Sequence, residues 1–186
     1  MARWAIAIHG GAGVDPNLPE HRQEEAKRVL ARCLQVGVDA LRSGAAALDV
    51  VEAVVRELES DPFFNSGRGS ALTRLGTVEM EASIMDGRGR RCGAVSGVST
   101  VKNPVSLARL VMDKSPHSYL AFDGAEQFAR DQVNYLSLIN PHPTNKSLPI
   151  NYANFLVNLT CLCTLINKTF LMWNYSVDMA RGNDGY

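Results

Sequence analysis

Neither sign of charge predominates in these 186 residues, which carry 19 Lys and Arg against 19 Asp and Glu. Binding to nucleic acid needs a basic face that releases counterions from phosphates, so this balance points away from a nucleic-acid partner. Cysteine is scarce, at Cys33, Cys92, Cys161 and Cys163, with no CxxC pair and no histidines at zinc-ligand spacing. Cys33 and Cys92 read as reduced core residues. A secretory leader is also missing: "MARWAIAIHGGAG" has one arginine and a short apolar run that ends at His9 and glycines, which predicts a cytoplasmic protein. There is no G-x-S-x-G elbow. Nor is there a dinucleotide fingerprint, because Val14-Asp15-Pro16 stands where a third glycine and a helix start belong. No organic cofactor is indicated.

What is present is a 46% hydrophobic chain, enough for one globular domain with a core. Its composition changes sharply along the way. Up to Gln132 the asparagines are Asn17, Asn65 and Asn103, whereas residues 133–186 hold nine, no glutamate, and only Lys146, Lys168, Asp178, Arg181 and Asp184 as charged side chains. Residues 1–132 therefore read as the domain and 133–186 as an unrelated tail, expected to be disordered. Within the tail, 155–173 is apolar but interrupted by Asn158, Asn167, Lys168 and threonines, a poor membrane span. Sequons at Asn145, Asn158, Asn167 and Asn174 follow from asparagine richness and carry little functional weight.

"WAIAIHG" predicts a buried strand entering a turn. From Glu20 to Arg42 the apolar residues fall on one helix face, with Pro19 at the start and Ser43-Gly44 at the stop; a second helix follows through Ser60, ended by Asp61-Pro62. "TVEMEASIM" alternates strictly, predicting a strand from Thr77 with Val78, Met80, Ala82 and Ile84 on one side, and "CGAVSGV" returns as its hairpin partner. Asn103-Pro104 reads as an N-cap with proline at N1, opening a third helix. "SYLAF" and "DGAEQFARDQ" predict a short strand and a final helix.

Two stretches can carry chemistry. "HGGAG" (9–13) follows the first strand, where glycine backbone can turn tightly or offer N–H groups to an anion. "ELESDPFFNSGRGS" (57–70) combines a helix end with a glycine-flanked Asn65. Carbonyls at a helix C-terminus lack intrahelical partners, and a loop curling around them can present oxygens to a hard cation. Asn65 can either cap this turn or point its amide at a substrate.

"IHGGAG", then "LESDPFFNSGRGSALTRLGTVEMEASIMDG", then "CGAVSGVSTVKNPVSLARLVMDKSPHSYLAFDGAEQFA" together resemble the plant-type L-asparaginases, also called isoaspartyl or beta-aspartyl peptidases, among the N-terminal nucleophile hydrolases. The resemblance runs from Ala5 to about Gln132. It implies an α+β fold, the N-terminal half of a four-layer αββα sandwich made as a precursor. Such a precursor cleaves itself before a threonine whose freed amine serves as base for its own hydroxyl. The mature enzymes hydrolyse L-asparagine to L-aspartate and ammonia, and the isoaspartyl bond of beta-aspartyl dipeptides. Carried over residue by residue, main-chain oxygens of Leu58, Glu59, Asp61, Phe64, Ser66 and Arg68 would hold a structural sodium ion. Asn65 would lie beside the nucleophile, and His9, Gly10, Gly11 and Gly13 would form the supporting glycine loop.

The resemblance also sets an expectation of what is missing. In the family the nucleophile opens a Thr-Val-Gly segment followed by substrate-binding and oxyanion residues, and nothing in 133–186 matches these. Gly76-Thr77-Val78 imitates the cleavage dipeptide but belongs to the predicted alpha-subunit strand. The chain is therefore expected to be truncated and inactive alone, with the catalytic set absent. The change after Gln132 is compatible with read-through of a splice donor into noncoding sequence. A noncatalytic partner or regulator that pairs with a full-length homologue is the alternative.

Overall fold

The first described segment is β1 (Trp4–Ile8), whose Ile6 and Ile8 are buried under a layer of helices. The computed structural model describes residues 4–11, 19–132 and, for the backbone alone, 178–182. Two stretches of apolar periodicity become α1 (Glu20–Arg42) and α2 (Ala47–Ser60), which pack on each other. Val29, Cys33, Gly37, Val38 and Leu41 form the buried stripe of α1; Val50, Val51, Val54, Val55 and Leu58 form that of α2. This is the 3.6-residue repeat of a helix with one face in a core. Gly37 lets β1 approach: a Cβ there would run into Ile6 Cδ1 and lie 2.9 Å from Val54 Cγ2.

β2 (Met80–Asp86) and β3 (Arg91–Val98) form an antiparallel hairpin, and β3 continues through α3 (Pro104–Lys114) to β4 (Tyr119–Ala121), which pairs with it in parallel. A parallel neighbour requires such a crossover, and the helix covers the sheet it crosses. At the crossing point Gly93 lies against α3, since a Cβ there would sit 2.7 Å from the Met112 nitrogen. Ile84, Val95, Val98, Val101, Val105, Leu107, Ala108 and Val111 fill the core between hairpin and helix. α4 (Phe122–Asp131) packs beside β3 and β4. β5 (Asp178–Gly182) pairs antiparallel with β1 in a separate two-stranded sheet.

The architecture is thus mixed α and β, with one partial sheet backed by helices. Three expectations need correction. The second strand begins at Met80 rather than Thr77; Leu72–Val78 instead closes a tight loop through an isolated bridge between its ends, and the ladder is irregular between Met80 and Ala82. Cys92 is exposed rather than in the core, because the Met85–Cys92 pair lies on the sheet face away from α3, whereas Cys33 is fully buried. Asn103 makes no capping side-chain bond to α3. Its amide donates to the Arg56 carbonyl at 3.3 Å and to Ser60 Oγ at 3.4 Å, tying the end of α2 to the start of α3.

No helix among the described residues is long and apolar enough to cross a membrane. The apolar 155–173 segment and the four sequons lie outside the described residues, as does the rest of the expected tail apart from β5.

Candidate functional site

The site is assembled where α2 ends. Helix carbonyls in the last turn have no N–H partner within the helix, and the chain from Asp61 to Ser70 folds back over them. Asp61 braces this return: Oδ1 accepts from the Phe63 N–H at 2.9 Å, and Oδ2 meets Arg32 Nη2 of α1 at 2.8 Å. Phe64 turns inward and is buried, edge-on to Phe63 at 5.8 Å between centroids, while Arg22 stacks over Phe63.

The glycines of "NSGRGS" have a specific steric role. Gly67, at φ 52°, would place a Cβ into the Glu59 carbonyl oxygen and 2.7 Å from Glu59 Cβ. Gly69 would place one into the Phe64 oxygen and 2.8 Å from the Pro62 oxygen. Main-chain oxygens of residues 59, 62 and 64 therefore crowd onto a 3-10 turn at Gly67–Gly69 that only glycine fits.

This convergence tests the sodium expectation. Among the described residues no group of His, Cys, Asp or Glu side chains could hold a metal ion, so any ion here would rest on carbonyl oxygens. Those suit a hard monovalent cation. The Leu58, Phe64 and Ser66 oxygens each accept one N–H, from Asp61, Ser66 and Gly69. A carbonyl oxygen has two lone pairs, so this leaves capacity for an ion. Of the expected set Leu58, Glu59, Asp61, Phe64, Ser66 and Arg68, the oxygens of Leu58, Glu59, Phe64 and Ser66 lie along the loop contacts described, and main-chain oxygen is the right donor type for such an ion.

Against this loop sits the turn that follows β1. Gly10 packs so closely that a Cβ would lie 2.8 Å from Phe64 Cε1 and 3.2 Å from Leu30 Cδ2, and Gly11 adopts φ 120°. His9, Gly10, Gly11, Leu58, Phe64, Asn65 and Ser66 line one shallow pocket. Gly13 lies outside the described residues. His9 Nδ1 accepts from the Gly11 N–H at 3.3 Å, so the neutral ring carries its proton on Nε2. Nε2 is buried and has no partner among the described residues. Asn65 does cap: its Oδ1 accepts from the Ala71 N–H at 2.8 Å, pinning the far end of the loop. That bond uses the amide oxygen, and the side chain is otherwise exposed at the pocket.

Thr77 is elsewhere. Its hydroxyl meets Thr73 Oγ1 at 2.7 Å, and its carbonyl accepts from the Thr73 N–H at 2.8 Å, within the exposed loop that ends at Val78. It is not among the pocket residues.

One residue of the site has a second role that its position in the sequence does not reveal. The Glu59 side chain is buried, and Oε1 accepts from the Val105 N–H at 2.9 Å, capping α3 from another helix. Burial pushes its carboxyl up to about 8, against the lowering effect of that hydrogen bond. Oε2 has no partner among the described residues. The same residue thus offers its carbonyl to the glycine turn and its side chain to α3, joining the loop to the sheet-covering helix. A cap placed forty-six residues upstream has no local signature; the only hint is an acidic residue at a position where the α2 periodicity turns inward.

The asparaginase family model matches residues 2–142. A probable isoaspartyl peptidase/L-asparaginase 2 of Arabidopsis thaliana is 76% identical over 132 residues, covering 71% of this chain and 41% of the relative. The human isoaspartyl peptidase/L-asparaginase is 48% identical over 124 residues, 67% of this chain and 40% of the relative. An isoaspartyl peptidase of Salmonella typhimurium is 41% identical over 158 residues, 84% of this chain and 49% of the relative. The chain thus spans less than half the length of these curated relatives. A match over three quarters of the chain, including every residue of the pocket, places it: the chain belongs to the asparaginase family.

Proposed function

We propose that this chain is the α-subunit-like, supporting part of an asparaginase/isoaspartyl peptidase and has no hydrolase activity alone. The observation that carries the reading is a pocket in which the His9–Gly11 turn, Asn65 and Ser66 meet at the end of α2. In the whole enzyme the reaction is hydrolysis of L-asparagine to L-aspartate and ammonia, and of beta-aspartyl dipeptides, through an acyl-enzyme on a threonine freed by self-cleavage. The described pocket offers a buried N–H donor on His9 and a pinned amide on Asn65, but no threonine. These are groups that hold and orient; they do not form a nucleophile and base pair.

In this reading the helix-backed sheet is one half of an αββα sandwich, and residues 133–186 are not part of it. A sodium ion on the oxygens of Leu58, Glu59, Asp61, Phe64, Ser66 and Arg68 would stiffen the Asn65 loop by charge alone. The protein works in the cytoplasm, with no nucleic-acid or membrane partner. Ammonia release from L-asparagine and from a beta-aspartyl dipeptide by the purified chain tests the proposal, with Asn65→Ala as control. Equal background rates are expected, and a rate above that of the variant overturns it.

A regulatory pairing with a full-length homologue is favoured by one observation, the sheet face away from α3, where Met85 and Tyr119 are 60% and 53% exposed. Co-purification of tagged chain with such a homologue, lost on Met85→Lys, is its test.

A further inference from the structure

β1 is anchored by its side chains but not by the sheet of β2, β3 and β4, to which it is not bonded. Ile6 and Ile8 are 1% and 2% exposed, with Ile6 seated over Gly37 between α1 and α2. The strand is therefore held in place by its side chains while its backbone edge can take up a partner strand. Asp178–Gly182 supplies it along the full length of β1, from Trp4 opposite Gly182 to Ile8 opposite Asp178.

We infer that Asp178–Gly182 is a self-complementing edge strand, occupying the β1 edge that would otherwise take up a strand from a second copy of this chain. An apolar strand with an open edge is a template for pairing in trans. A strand tethered to the same chain competes at an effective concentration on the order of millimolar, well above the micromolar level of a dilute protein. Register adds a positional consequence. Asp178 lies beside Ile8, one residue before the turn that lines the pocket. This inference goes beyond the proposed function and does not depend on it.

Proline scanning of the intact chain is the test. Adjacent residues of a strand direct their N–H groups to opposite edges, so of Met179→Pro and Ala180→Pro one must remove a ladder bond. Amide exchange at Ala5–Ile8 and sedimentation over a concentration series are the readouts, with protected Val54 and Val105 amides showing that each variant remains folded. We expect β1 amides to exchange roughly tenfold or more faster in one variant, accompanied by self-association at concentrations where the unsubstituted chain is monomeric. Unchanged protection in both variants overturns the inference, and so does loss of protection without association. If a variant fails to fold, the unsubstituted chain still decides: β1 amides exchanging as fast as those of the exposed Leu72–Val78 loop overturn it.

Discussion

Glu126 on α4 holds the turn that leaves β3, and replacing it should destabilise the fold. The residue is 8% exposed, and its carboxylate faces the turn that leaves β3. Oε1 accepts from the Ser99 N–H at 2.6 Å, the Thr100 N–H at 3.2 Å and Ser99 Oγ at 3.2 Å, while Oε2 accepts from Thr100 Oγ1. Alanine removes the acceptor from two backbone N–H groups and two hydroxyls of the exposed Ser99–Thr100 turn, where water can take over part of its role. Hydrogen bonds to a charged group contribute about 1.5–3 kcal/mol each, not additively, and solvent access reduces the loss. Glu126→Ala should therefore lower unfolding free energy by roughly 1.5–3 kcal/mol, a substantial part of the 5–15 kcal/mol typical of a domain. Glu126→Gln keeps one acceptor but presents an NH2 toward Thr100 and should cost about half as much.

Acid titration provides an independent check on the same contact. Burial pushes the Glu126 carboxyl up, but the Thr100 and Ser99 hydrogen bonds outweigh it and hold the group below its ordinary value of 4.5. A carboxylate depressed in the folded state contributes stability that is present above the unfolded value and disappears as pH falls through the folded one. The gap between the unsubstituted chain and Glu126→Gln should accordingly be full at neutral pH and narrow below pH 4.5. Urea unfolding at a series of pH values measures both quantities. A Glu126→Ala cost under about 0.5 kcal/mol, or a gap that does not narrow in acid, would refute the reasoning.

Gly67→Ala should disrupt the Asn65 loop, since the added methyl meets the Glu59 oxygen and φ is positive; a loss above about 2 kcal/mol, read as a lower urea midpoint, is expected. Gly37→Ala should cost about 1–3 kcal/mol by overpacking Ile6 against Val54, read as a lower urea midpoint at unchanged slope. Asn65→Ala removes the acceptor for the Ala71 N–H, and with it about 1 kcal/mol of local stability, measured as faster Ala71 amide exchange with the global midpoint nearly unchanged. Arg109 bonds Asp113 at 2.6 Å and Asp49 at 3.2 Å on a partly exposed helix seam, so Arg109→Met should cost under about 1 kcal/mol and less at high salt.

Much of the fold is legible from local pattern. The α1 and α2 stripes, the "DGRG" turn between β2 and β3, and proline at the first position of α3 each answer a short-range requirement of helix or hairpin. Where the reading fails, a distant partner has displaced the local one. Asn103 has the form of a cap, yet its amide turns to α2, because Glu59 already takes the α3 N–H it would have served. Thr77 sits in a perfect alternation, yet its bonds to Thr73 close a loop before the ladder begins.

The site divides along the same line. The sequence alone determined the family and the glycine-bearing loops, because these depend on side-chain size and backbone freedom at fixed positions. Only the tertiary structure decided that the His9 turn packs on Phe64, that Asn65 pins Ala71, that Glu59 joins loop to helix, and that β5 pairs with β1. Those contacts join groups far apart in the chain, and long-range pairing is selected by burial and hydrogen-bond satisfaction across the whole fold, which no local window of sequence contains.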